Sequence, residues 1–181
     1  MFGTIYLPNF SLQAALRHRS LTANQTDQPI AVIDENENKP VILELTAAAK
    51  AAGVSKGMTP SQGLARCLTL QIQPRSRVQE KAVQEILLHH AFSLSPYVEE
   101  TAPGLSTLQF TDLRDLVSKM SRAIAQLESC ELTAQGGLGP TPDTSFLAAH
   151  LARPVLEITD VSQFLAPLPI EILATPLENP A

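Results

Sequence analysis

The chain predicts an α+β fold: a ferredoxin-like, mostly antiparallel sheet backed by helices on one face, plus a small inserted α/β subdomain. Three observations carry this. From residue 69 onward, runs of strand and helix periodicity follow in the order β-α-β-β-α-β-α. A strand and a helix, "GTIYLP" and residues 10–19, precede them. Between the two, residues 29–68 read as a hairpin and two short helices, which makes them an insertion.

"GTIYLP" is apolar until Pro8 ends it. Residues 10–19 follow as a helix, with Phe10, Ala14 and Leu12 or Leu16 on its apolar face. "PIAVID" (29–34) and "PVILEL" (40–45) flank the polar turn "ENENK" and form a hairpin. Thr46 caps a short alanine-rich helix that stops at Gly53, and Thr59 caps another with Pro60 in its first turn. "TLQIQP" (69–74) alternates as a strand does. Residues 76–94 form a long helix whose expected buried stripe is Val78, Ala82, Ile86, Leu87 and Leu94. "YVEE" and "LSTLQF" are strands joined through "TAPG". Residues 112–128 give the clearest helix, with Leu113, Leu116, Val117, Met120, Ile124 and Leu127 at helical spacing. "CELTAQGGLG" is a strand, "TPDTSFLAAHLA" a helix capped by Thr141, and "VSQFLAPLP" a last short helix.

The 181 residues are 44% hydrophobic and 17% charged, enough for one globular core. No apolar run approaches the roughly 20 residues of a membrane span. The N-terminus has no secretory pattern, and Cys67 and Cys130 form no CxxC, so the expectation is a cytoplasmic chain with reduced thiols. Net charge is −5, but residues 1–81 carry 9 Lys/Arg against 6 Asp/Glu, and residues 82–181 carry 4 against 12. Any polyanion contact therefore belongs to the N-terminal half, if the imbalance is more than ordinary solvation.

Few residues offer chemistry. His89 and His90 are adjacent and point apart on their helix, while His18 and His150 are isolated, and none has metal-ligand spacing. "GGLGP" (136–140) sits between strand and helix, as a phosphate-binding turn would, but lacks the spacing of GxGxxG or a P-loop, and a tight turn explains it equally. Glu99 and Glu100 end a strand and could help hold a divalent cation, although neighbours on a strand face opposite ways. An exposed acidic strand end is the plainer reading.

One stretch carries more: "QPIAVIDENENKPVILELTAAAKAAGVSKGMTPSQGLARCLTLQIQP". It resembles the Y-family (UmuC/DinB-type) translesion DNA polymerases. Gly53-Val54, Gly57-Met58, Gln62, Ala65, Cys67 and Pro74 match that family's pattern in register. "SPYVEETAPGLSTLQFT" stands at the family's S-x-D-E strand, and "GGLGPTPDTSFLAAHLARP" at its G-[IV]-[AS]…LAK[IL]AS segment. "FLAPLPIEIL" resembles the stretch leading to the family's thumb, so the resemblance runs from residue 1 to about 173.

The resemblance implies a palm formed by residues 1–28 and 69–173, fingers formed by 29–68, and a linker toward a missing thumb beginning at 174–181. It also implies two-metal nucleotidyl transfer, with Mg²⁺ held by carboxylates on adjacent palm strands. Position by position, that chemistry is depleted. The metal-binding Asp of strand 1 falls on Tyr6 and the next motif Asp on Pro8. Glu99 stands at the Asp of S-x-D-E, and Glu100 matches its Glu. The sugar-screening position is Ser11, and the fingers Tyr and Arg that touch triphosphate fall on Ala47 and Lys50. No Lys is evident near Phe146. A phenol, with a pKa of about 10, does not replace a carboxylate.

This pattern resembles the catalytically degenerate ImuB-like branch, whose "LPxF" opening matches "YLPNF". It implies an accessory or scaffold in damage-induced mutagenesis, working with a replicative-type polymerase, a sliding clamp and a small accessory protein. No resident metal or cofactor is expected. DNA contact is expected to be weak, through Arg17, Arg19, Lys50, Lys56, Arg66, Arg75 and Arg77. Two other readings stay open: an active translesion polymerase using Mg²⁺ on Glu99, Glu100 and a third ligand such as Glu44, and a ferredoxin-like domain binding a metabolite around Tyr6 and Glu99.

Overall fold

A computed structural model describes residues 1–17, 28–35, 39–169 and 172. Arg19, His18, most of the 21–28 loop and the 174–181 segment lie outside the described residues. In chain order the elements are β1 (Phe2–Tyr6), α1 (Phe10–Leu16), β2 (Ile30–Ile33), β3 (Ile42–Leu45), α2 (Ala47–Ala51), α3 (Pro60–Arg66), β4 (Gln71–Pro74), α4 (Arg77–Leu94), β5 (Tyr97–Ala102), β6 (Leu105–Gln109), α5 (Leu116–Ser129), β7 (Gln135–Gly139), α6 (Pro142–Leu151), β8 (Val155–Glu157) and α7 (Val161–Leu165). Two compact units result: Met1–Pro8 with Ala82–Ala181, and Asn9–Lys81. The second is wider than the insertion expected at 29–68.

The first unit holds a five-stranded sheet in the order β5-β6-β1-β7-β8. Every neighbouring pair is antiparallel except β7 and β8, which α6 connects in parallel. The mostly antiparallel sheet is as expected, but its helices do not gather on one face. Thr4 of β1 pairs with Gly137 of β7, and its hydroxyl lies 2.8 Å from that of Ser145 on α6. The neighbouring residues Gly3 and Gly136 face the opposite way, toward Met120 of α5. The cause is visible in the strands: residues 3–5 and 136–139 are all buried, with no alternation, so both faces at the sheet centre need cover.

Helix α5 buries Leu116, Met120, Ala123, Ile124 and Leu127, as its periodicity predicts, but Leu113 and Val117 are exposed. The helix begins only after Asp115, whose left-handed backbone turns Leu113 off the stripe. Along α4 the buried line is Glu80, Val83, Gln84, Leu87 and Ala91; Val78 is exposed. This corrects the expected stripe, of which Leu87 is fully buried, by rotating it roughly a quarter of a turn around the helix. Gln84 Oε1 accepts from the Gly104 N–H at 2.8 Å and so holds the β5–β6 turn.

The second unit is built on a three-stranded sheet ordered β3-β2-β4. The β2–β3 hairpin is as expected, with a register shift between Val32 and Ile33. The strand expected in the main sheet at 69–74 instead runs parallel to β2. β2 is IAVI with every residue buried, and such a strand, central in its sheet, needs cover on both faces. One face packs Ala31, Ile33, Ile42, Ala49, Val54, Cys67 and Leu70; the other packs Ile30 and Val32 against Leu12, Ala15 and Leu16 of α1. Thr46 caps α2, and Thr59 and Gln62 form a capping box on α3. Asn9, in left-handed conformation, gives α1 no side-chain cap; the buried Glu44 takes that role, accepting from Leu12 N–H at 2.7 Å.

Candidate functional site at the end of the first strand

Tyr6 ends β1 in register with Leu105 of β6 and Gln135 of β7. Its side chain shares the face of Thr4, the face covered by α6. There the phenol ring stacks on the imidazole of His150, with centroids 4.1 Å apart and planes 19° from parallel. Phe146, one turn earlier on α6, packs its ring 4.3 Å from the same imidazole. His150 Nδ1 is 2.9 Å from the Phe146 carbonyl. Three aromatic rings thus fill the place where the sequence comparison puts a metal-binding carboxylate. Below them, Ser145 Oγ, already 2.8 Å from Thr4 Oγ1, also donates to the Pro142 carbonyl at 2.8 Å. By sequence spacing to the other histidines, His150 is isolated. The signal was there: Phe146 and His150 are four residues apart on a helix that returns over strand 1.

Pro8 lies in the turn after the strand. Glu99 pairs with Thr107 and, through it, with Thr4, which sets it on the Tyr6 face of the sheet. Glu100 pairs with Ser106 and, through it, with Ile5, which sets it on the α5 face. Both are exposed. The adjacent carboxylates therefore diverge, as strand geometry requires. Among the described residues, no three His, Cys, Asp or Glu side chains gather as metal ligands do. Glu44 lies in the other unit with one oxygen on the first turn of α1.

In the second unit, Ser11 is buried in α1, and Ala47 and Lys50 are exposed at the two ends of α2. Lys56 and Arg66 are also exposed, and Arg17 is half-buried. Arg75 and Arg77 belong to a charge network. Arg75 donates from Nε and Nη2 to both Glu80 oxygens, at 2.6 and 3.0 Å, and lies 3.7 Å from Asp34. Arg77 donates to Asp34 at 3.2 Å. Both carboxylates are buried and Arg75 is nearly so, whereas Arg77 is half exposed; the network ties the ends of β2 and β4 to the start of α4.

Burial holds the His150 imidazole below its usual 6.5, against the opposing pull of the Phe146 carbonyl. His90 shifts the same way, through burial and then the charge of His89. For a base with a lowered folded value, the unfolded chain binds more protons, so stability is lost as pH falls through the unfolded value near 6.5. The melting temperature should therefore drop from about pH 7.5 to about pH 5.5. His150→Phe should remove part of that drop while keeping the ring packing. An unchanged pH profile would assign the effect to other groups.

Residues 5–150 match the family model described as impB/mucB/samB. Among solved structures, the chain resembles an insertion ternary complex of Dbh DNA polymerase (TM-score 0.80, 16% identity, 94% of this chain and 53% of that one). It also resembles the post-insertion binary complex of Dbh (0.81, 16%, 94% and 52%). DinB from Sulfolobus solfataricus gives 0.77, with 16% identity over 95% and 53%. The chain spans about half the length of these structures. No curated protein matches it. The likeness establishes the fold, that of Y-family palm and fingers, and the family model covers most of the residues from β1 to α6. The chain therefore belongs to the impB/mucB/samB family.

Proposed function

We propose that this chain is the palm-and-fingers region of an ImuB-like Y-family homologue that serves translesion synthesis without transferring nucleotides itself. One observation carries the reading: at the end of β1, the Tyr6 ring lies flat on His150, where an active relative would present a carboxylate. Two-metal transfer needs anionic oxygens from adjacent strands around ions roughly 4 Å apart. A half-buried, stacked phenol, a group whose ordinary pKa is about 10, is no substitute for a carboxylate, and Glu100 faces away from Glu99. This donor set does not fit a two-metal centre.

The domain would then contribute shape and contacts in the cytoplasm, beside a replicative-type polymerase, a sliding clamp and a small accessory protein. Its own hold on DNA would be weak and salt-sensitive, through exposed cations such as Lys50, Lys56 and Arg66. Arg75 and Arg77 are better assigned to folding, given their carboxylate partners. The test is primer extension by the full-length protein on primed template with dNTPs and Mg²⁺ or Mn²⁺. No extension is expected, with or without Glu99→Ala. Extension that Glu99→Ala abolishes would overturn the proposal.

A further inference from the structure

The two edges of the five-stranded sheet are unequal. β8 is three residues long, whereas β5 runs for six, Tyr97–Ala102, with β6 as its sheet neighbour. The outer side of an edge strand presents backbone N–H and C=O groups that can template a further strand. The side chains along β5 are open as well. Tyr97 is 58% exposed, Val98 is half-buried, and Glu99, Glu100 and Thr101 are exposed. The pairing shifts register between Glu100 and Ala102, and Thr101 is tied inward by a 2.8 Å bond from its hydroxyl to that of Thr107. The regular stretch available for pairing is therefore Tyr97–Glu100.

Charge selects what can occupy it. A second copy laid antiparallel across this stretch would set the Glu99 and Glu100 carboxylates of one copy against those of the other. Like charges placed opposite each other on neighbouring strands are destabilising. Residues 82–181 are acidic as a whole, with 12 Asp/Glu against 4 Lys/Arg, which repels a second copy further. A strand with two central lysines or arginines turns the same geometry into attraction, and an apolar flank would cover the Tyr97 ring. We propose that the Tyr97–Glu100 edge is a docking site for an extended, basic segment of a partner protein, added to the palm sheet as a sixth strand. The site is independent of any nucleotide chemistry.

The experiment titrates the ¹⁵N-labelled chain with an acetylated and amidated peptide, TVKKYTV, at low salt. A second peptide, TVKPKTV, keeps the charge but cannot form the strand. Shift changes at the amides of residues 97–100 are expected with the first peptide. Its dissociation constant should rise at least tenfold in Glu99→Lys/Glu100→Lys, whose changes lie on an exposed edge. Equal binding of the proline peptide would reduce the interaction to charge alone and overturn the proposal. Shifts confined to other elements, or none at millimolar peptide, would overturn it too.

Discussion

Gly137→Ala should destabilise the fold by more than about 3 kcal/mol, or abolish its cooperative unfolding transition. A Cβ at position 137 would stand 2.1 Å from the Ser145 carbonyl oxygen and 2.2 Å from the Ala149 nitrogen. Both are backbone atoms of α6, so no rotamer change relieves the clash; the helix must leave the sheet. That would part Thr4 from Ser145 and Tyr6 from His150. Gly139→Ala meets Ser145 N at 2.8 Å and should also be costly. Gly53→Ala is the control: nothing lies within 4 Å of its Cβ, and only its positive φ of 85° resists, at about 1 kcal/mol. Urea denaturation of the three variants checks this order. A Gly137→Ala midpoint equal to that of the parent chain would mean that α6 and β7 are not packed so closely.

The same glycines show what the sequence could and could not tell. "GGLG" reads both as the end of a strand and, with Pro140, as a turn of the kind that binds phosphate. Its glycines lie inside β7 with ordinary backbone angles, since the positive-φ glycines among the described residues are Gly53, Gly57 and Gly104. Gly137 and Gly139 are small because α6 packs directly on the strand, and Gly136 because Met120 of α5 does; closeness between distant elements leaves no periodic trace. Local signals were readable. The Thr46, Thr59 and Thr141 caps, the β2–β3 hairpin and the α5 stripe at Leu116, Met120, Ile124 and Leu127 appear where residue chemistry puts them. Pairing was not: "TLQIQP" reads the same whether it joins the large sheet or lies parallel to β2. At the candidate site, the resemblance sets Tyr6 at the position of a carboxylate. The ring stack there was not legible, because His150 and Tyr6 are 144 positions apart and meet only after α6 folds back over β1.

Arg75→Met should cost about 3 kcal/mol, near the lower end of what breaking a buried ion pair costs. The Arg75 side chain is 15% exposed, and its guanidinium bridges two carboxylates that are themselves at most 9% exposed. Removing it takes away the cation that Asp34 and Glu80 share, with Arg77 still beside both, at 3.2 and 4.0 Å. That residual contact is why the loss should not reach the upper end of the range. Arg77 is half exposed, so Arg77→Ala should cost no more than about 1 kcal/mol. Arg75→Met/Glu80→Met should recover much of the loss, because the pair then leaves together and an apolar contact replaces it. Chemical denaturation of the four proteins reads these terms. DNA affinity provides the opposing measurement. If Arg75 were a phosphate contact, its loss would weaken binding and flatten the salt dependence by about one ion while stability held. A structural Arg75 gives the reverse: a large fall in stability and an unchanged salt slope among the molecules that remain folded.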